Sequence, residues 1–281
     1  MGGGGYPLAS ASHAVVTECK LKTRDTGIVT QQHPWSRYVA IGDSFTEGIG
    51  DPEPGSPGGH RGWADRVAEV LAAGTDDFAY ANLAVRGRLL DRIAAEQAPA
   101  AIELKPDLIS VSAEGNDIIR PGTDPDDVAN RFEEMVRVLR RDGATVVMFN
   151  GPDIGGTPVL GRLRGKVAIY NENLRAIAQR YDAVVVDMWA MRELKDARMW
   201  APDRLHFSPI GHHRIAIATL DALGVAHDLE PNHPDPLPPK QWRQARVEDI
   251  GWAREYLVPW VLRRIRHQSS GDDVLPKRPG F

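Results

Sequence analysis

The chain has 281 residues, of which 42% are apolar and 26% charged; this is the balance of a globular protein, with room for one sizeable domain. Its 34 basic and 38 acidic residues give a formal net charge of −4, which supplies no global attraction for a phosphate backbone, so nucleic acid is not an expected partner. The single cysteine, Cys19, excludes an intramolecular disulfide and any CxxC zinc or redox site. No stretch approaches the roughly 20 apolar residues of a membrane span. The region from Met1 to Thr17 has no basic segment followed by a continuous apolar run, so no export signal is read and a cytoplasmic location is the expectation.

Residues 1–35 open with the glycine run Gly2 to Gly5 and show no sustained periodicity, which reads as a flexible N-terminal extension. From Tyr38 onward, short β-branched runs alternate with segments of helical period. The strands are predicted at Tyr38–Gly42, Phe78–Leu83, Leu108–Ser112, Thr145–Asn150 and Ala183–Asp187. They are short and apolar on both faces, as buried strands of a parallel sheet are. Helices are predicted at Gly62–Ala73, Leu89–Ala98, Pro125–Arg141, Gly165–Tyr181 and Pro209–Leu223. In the third of these, Val128, Phe132, Met135, Val136 and Leu139 form one core-facing stripe behind an Asp124 cap. Alternation of this kind implies right-handed βαβ crossovers, with a ligand site at the carboxyl ends of the strands. The domain is read as residues 36–225, followed by a proline-rich connector at 226–240 and a C-terminal helical extension and tail at 241–281, whose last residues from Gly271 read as frayed.

The strand ends carry the chemistry. Strand one runs into Gly42-Asp43-Ser44-Phe45-Thr46-Glu47-Gly48, which places a serine at a strand-to-helix turn. Strand two is followed by Arg86-Gly87, and strand three by Glu114-Gly115-Asn116-Asp117. After strand five comes Asp203-Arg204-Leu205-His206-Phe207-Ser208-Pro209. A serine hydroxyl is a weak nucleophile until an imidazole takes its proton, and the imidazole needs a carboxylate to fix its tautomer. Acyl transfer also needs preorganised donors where negative charge grows on the carbonyl oxygen, and Gly87 and Asn116 are of that kind. Each residue taken alone is ordinary turn or cap chemistry. The conjunction of four strand ends, each with a type that one reaction requires, is not.

In this ordered combination, over roughly Tyr38 to Leu223, the sequence resembles the SGNH hydrolases, or GDSL esterase and lipase family. The resemblance implies a flavodoxin-like three-layer α/β/α fold with a five-stranded parallel sheet in the order 2-1-3-4-5. It implies Ser44 as nucleophile, His206 as general base and then acid, and Asp203 as its orienter, with an oxyanion hole from Ser44 N–H, Gly87 N–H and the Asn116 side chain. No cofactor is implied. The Gly-x-Ser-x-Gly elbow of ordinary α/β-hydrolases is missing. The expected substrate is a small, short-chain acyl ester; a sugar acetyl ester or an acyl thioester is the enzymatic alternative, and a non-catalytic binding module the alternative of another class.

One departure stands out, since Glu114 occupies a position where the family pattern has glycine. Either a carboxylate there reshapes the oxyanion region, in which case Glu114→Gly should raise the rate on simple esters, or Glu114 points harmlessly away. Ile154 and Phe207, with Trp63, are expected as apolar walls. The glycine- and proline-rich runs Ile49–Gly62 and Gly151–Pro158 start at the same rim and are read as determinants of access. His212 and His213 lack a further ligand at metal spacing, so no metal site is predicted and His212 is read as structural. The C-terminal extension mixes Trp242, Val247, Ile250, Tyr256, Leu257, Trp260, Val261 and Ile265 with Arg263, Arg264 and Arg266. Packing onto the body or a contact with a second subunit is favoured there over a membrane surface.

Overall fold

The computed structural model describes residues 1–2, 33–113, 115–157, 160–232, 249–259 and 270–281. Met1–Thr30 and Gln31–Phe281 are separate units, and the sheet, its helices and the candidate site all belong to the second. Most of the N-terminal extension and of the proline-rich connector, the start of the predicted C-terminal helical extension with Trp242 and Val247, the stretch containing Trp260 to Arg266, Pro158 and Glu114 lie outside the described residues.

Five strands form one all-parallel sheet in the order β2-β1-β3-β4-β5. They are β1 (Arg37–Gly42), β2 (Ala79–Asn82), β3 (Leu108–Ser112), β4 (Thr145–Phe149) and β5 (Val184–Val186), each within a few residues of its predicted bounds. The helices are α1 (Ser44–Glu47), α2 (Gly62–Ala73), α3 (Leu90–Arg92), α4 (Ala98–Glu103), α5 (Gly115–Ile118), α6 (Pro125–Leu139), α7 (Arg164–Tyr181) and α8 (Pro209–Ala222). Alternate residues of β1 feed opposite faces, as strand pleating requires. Val39 and Ile41 join a core with residues of α6 and α7, including Phe132, Val136, Tyr170 and Leu174. Tyr38 and Ala40 join a second core with Trp63, Val67 and Leu71 of α2 and Ile215 and Leu220 of α8. Helices on both faces bury the central strands, with β3 buried throughout and the edge strands β2 and β5 only in part, which is why the central strands read as continuous apolar runs.

The helix predicted at Leu89–Ala98 is longer and irregular, since α3 passes through a π-turn at Ile93–Gln97 into α4. Pro99 in the first turn of α4 has no N–H to continue a regular ladder, and the wider turn absorbs the defect. It also aims Gln97 at the end of β1, where its Oε1 accepts from Gly42 N–H at 2.8 Å and its Nε2 donates to the Gly42 carbonyl at 2.9 Å. A side chain at Gly42 would lie 2.5 Å from the Ser112 carbonyl oxygen, so only glycine lets β1 and β3 close this tightly before the serine.

The C-terminal tail differs from its predicted frayed state. Arg278 pairs with Asn82 as an antiparallel bridge on the edge strand β2, and the Lys277 ammonium is buried against the Asp65 carboxylate and the carbonyls of His60 and Arg61. An edge strand with open N–H and C=O groups needs such a cover. The tail covers it with partners that are remote in sequence.

Candidate active site

At the end of β1 the chain turns directly into α1. Asp43 caps that short helix by accepting Phe45 N–H at 3.0 Å, and the helix leaves through Gly48 in the left-handed region, with φ of 96°. Ser44 is thereby carried at the sheet's carboxyl rim. Asn82 of β2 fixes the far side of α1 by donating from Nδ2 to the Thr46 carbonyl at 2.9 Å.

The Asp203–His206 turn does not follow β5 directly. Two short 3-10 turns, Arg192–Lys195 and Ala197–Met199, intervene, and a small antiparallel bridge between Trp200 and Phe207 then closes its base. Those two rings stack at 4.4 Å, and Ala201 N–H donates to the His206 carbonyl at 2.8 Å. After the turn, Ser208 caps α8 and Pro209 occupies its first turn, a position where a missing N–H costs nothing.

This turn brings the three predicted residues together. His206 Nε2 lies 3.1 Å from Ser44 Oγ, and His206 Nδ1 lies 2.5 Å from Asp203 Oδ2. A carboxylate can only accept, so the Nδ1 nitrogen carries the proton and Nε2 is left to accept from the serine hydroxyl. The other carboxylate oxygen, Asp203 Oδ1, accepts from the backbone N–H groups of Leu205 and His206, each at 3.0 Å. Burial works to raise this carboxyl. Its hydrogen bonds and its attraction to the ring outweigh burial and hold it below the usual carboxylate range.

A cavity of about 600 Å³ opens on Ser44 and is lined also by His206, Gly87 and Asn116. Gly87 sits in the left-handed region, with φ of 73°. Asn116 Nδ2 is engaged by Asp43 Oδ2 at 2.8 Å and by the Arg88 carbonyl at 3.2 Å; a new oxyanion acceptor would compete with the longer of the two. Asp117 holds the loop that carries Gly87 by accepting Leu90 N–H at 2.9 Å.

Of the predicted walls, Ile154 and Phe207 line the cavity, whereas Trp63 lies in the core beneath, with its ring 5.4 Å from that of Phe45. His212 is fully buried. Its Nδ1 accepts Trp63 N–H and its Nε2 donates to the Ile49 carbonyl, and burial pushes its pKa down to about 4, so the ring is a neutral strut between α8 and the loop after Ser44. His213 instead bonds the Glu230 carbonyl. Among the described residues no cluster of three or more His, Cys, Asp or Glu side chains is arranged to hold a metal ion, and no helix is long and apolar enough to cross a membrane.

Several contributors are not visible in the sequence. The Arg86 side chain forks onto the carboxylate of Glu47, tying the Gly87 loop to α1. Val167 and Tyr170 of α7, Met188, and Ser270 and Asp272 of the tail complete the cavity wall. Helical period marks Tyr170 only as a core residue, and nothing in the sequence of the tail points to a cavity.

The profile of the GDSL-like lipase/acylhydrolase family matches residues 40–214. The chain belongs to that family. It is a hydrolase by membership, and solved structures agree with its fold. TesA superposes with a TM-score of 0.53 at 20% identity, covering 66% of this chain and 97% of its own. LAE5, an alpha/beta hydrolase enzyme from the metagenome of Lake Arreo, Spain, gives 0.56 at 24%, covering 67% and 95%. Axe2, an acetylxylan esterase from Geobacillus stearothermophilus, gives 0.55 at 18%, covering 68% and 95%. No curated protein matches the sequence significantly. The SGNH-type fold and the family expected from the motifs are therefore those of this chain.

Proposed function

We propose that the chain is a serine carboxylesterase that hydrolyses small, short-chain acyl esters through an acyl-enzyme. The observation that carries this reading is the continuous hydrogen-bonded line from Ser44 Oγ through the His206 ring to Asp203 at the mouth of an open cavity. In this mechanism Ser44 Oγ attacks the ester carbonyl as its proton passes to His206 Nε2, and Asp203 stabilises the imidazolium. The backbone N–H groups of Ser44 and Gly87 and the Asn116 carboxamide stabilise the oxyanion. His206 then protonates the leaving alcohol as the C–O bond breaks. Water, deprotonated by the same ring, releases the acid and restores Ser44.

The cavity volume falls in the range of ordinary small-molecule sites, which supports a small ester with its acyl and alcohol parts both accommodated. Acetylated sugars, the chemistry named in the description of Axe2 as an acetylxylan esterase, and acyl thioesters would use the same apparatus and differ only in the leaving group. Reaction with a serine-directed fluorophosphonate, followed by peptide mapping, tests the reading. Stoichiometric labelling at Ser44 is expected, and absence of labelling would favour a binding module that keeps the fold without the chemistry.

A further inference from the structure

The Asp203–His206 turn contains a residue that the backbone does not favour. Arg204 lies in the left-handed region, with φ of 55°, which residues carrying a Cβ rarely adopt. The conformation is needed: it folds the chain so that the Asp203 carboxylate reaches both the backbone N–H of His206 and its ring. Arg204 N–H donates to the Ala201 carbonyl at 2.9 Å, but the tip of the turn protrudes from its small hairpin, and the Arg204 side chain is exposed.

Residues 249–259, which are helical, meet this tip. Asp249 and Trp252 are three residues apart and so share one helical face. The Asp249 carboxylate pairs with the Arg204 guanidinium at 2.6 Å. The Trp252 ring lies under the same guanidinium at 5.0 Å, and its indole N–H donates to the Asp203 main-chain carbonyl at 2.9 Å. Three contacts from one helix face thus converge on two consecutive residues of the turn. Both Asp249 and Trp252 lie beyond residues 40–214, the part of the chain that matches the family profile.

We propose that Trp252 is a positioning residue for the Asp203–His206 pair, so that the C-terminal extension is part of the catalytic apparatus. This rests on the reading of Ser44, His206 and Asp203 as a triad. Trp252 touches no reacting atom. By holding the Asp203 carbonyl and the strained Arg204 in place it keeps the carboxylate aligned with Nδ1, and misalignment there slows proton transfer without weakening ester binding.

Two variants test this in the full-length chain. Trp252→Phe keeps a ring beneath Arg204 and removes only the N–H donor, while Trp252→Ala removes both. With p-nitrophenyl butyrate, kcat is expected to fall about three- to tenfold in Trp252→Phe and further in Trp252→Ala, with KM within about twofold. In the same proteins, labelled with 15N-histidine, the downfield Nδ1–H resonance of His206 should shift or broaden in both variants. That resonance reports the Asp203 contact whether or not a given ester is turned over, so an inactive wild type would count against the esterase reading alone. Wild-type kcat and an unmoved resonance in Trp252→Phe would overturn the proposal, as would losses that only track a lower melting temperature while the resonance stays in place.

Discussion

Asn116 and Asp43 face each other across the rim of the sheet, Nδ2 of the first donating to Oδ2 of the second at 2.8 Å. The contact ties the proposed oxyanion donor to the residue before the proposed nucleophile, and it requires a carboxylate in a buried place. Burial, the largest influence, pushes the Asp43 carboxyl up to about 6 despite the hydrogen bonds from Phe45 and Asn116 and the attraction of His206. An acid raised in this way binds its proton more tightly when folded. Its contribution to stability is complete below the unfolded pKa of about 4 and is lost as pH rises through about 6. Asp43→Asn removes that loss, so relative to wild type it should gain stability between pH 4 and pH 8, by up to roughly 3 kcal/mol. Its amide cannot accept from both Phe45 and Asn116, so kcat should fall about tenfold. Urea unfolding at the two pH values, with esterase assays alongside, checks both parts; a pH-independent difference in stability would contradict the burial argument.

Asp203→Asn keeps the shape of the turn and removes the charge that fixes the His206 tautomer. We expect kcat to fall by about 10³- to 10⁴-fold, with KM changed far less. A loss under tenfold, measured by steady-state kinetics, would mean that Asp203 is not the orienter.

Gly48 and Gly62 touch back to back, both with positive φ. A Cβ on Gly48 would stand 2.8 Å from the Gly62 Cα, and one on Gly62 would stand 2.5 Å from the Gly48 Cα. This close approach seats the end of α1 on the start of α2, directly behind Ser44. Gly48→Ala combines backbone strain with a clash between main chains that cannot rotate away, and should cost roughly 2–4 kcal/mol. A denaturation midpoint equal to wild type would show that the two segments can separate freely.

The Lys277 ammonium enters the body beside Asp65, and both side chains are almost completely buried. Lys277→Met leaves the Asp65 carboxylate with the more distant Arg278 guanidinium at 3.5 Å and should destabilise by about 2–4 kcal/mol, whereas the double variant Asp65→Asn with Lys277→Met should recover much of that loss. Chemical denaturation of the three proteins separates the outcomes. Equal losses in the single and double variants would mean that the tail is held by packing alone.

The strands and the place of the candidate site were legible because each depends on local pattern, whereas the order of the sheet was implied only by the family resemblance. Val39 and Ile41 alternate with Tyr38 and Ala40 inside a run apolar on both faces, and Ser44, Gly87 and Asn116 each follow a strand within a few residues. The pair Asp203 and His206 was legible because one short turn contains both. What the sequence hides is contact across long separation. Lys277 looks like a charge in a polar tail until Asp65 and two carbonyls surround it, and Trp252 looks like one aromatic among several until its indole meets the Asp203 carbonyl. Gln97 is hidden for another reason: a period of 3.6 cannot register the π-turn that aims it at Gly42.

In the proposed reaction Ser44, activated by His206, opens an acyl ester. Hydrolysis of p-nitrophenyl acetate, butyrate and octanoate by the wild-type chain and by Ser44→Ala tests it most directly. Turnover should fall with chain length in the wild type and vanish in Ser44→Ala. Equal rates in the two proteins, or no turnover of any ester by the wild type, would contradict it.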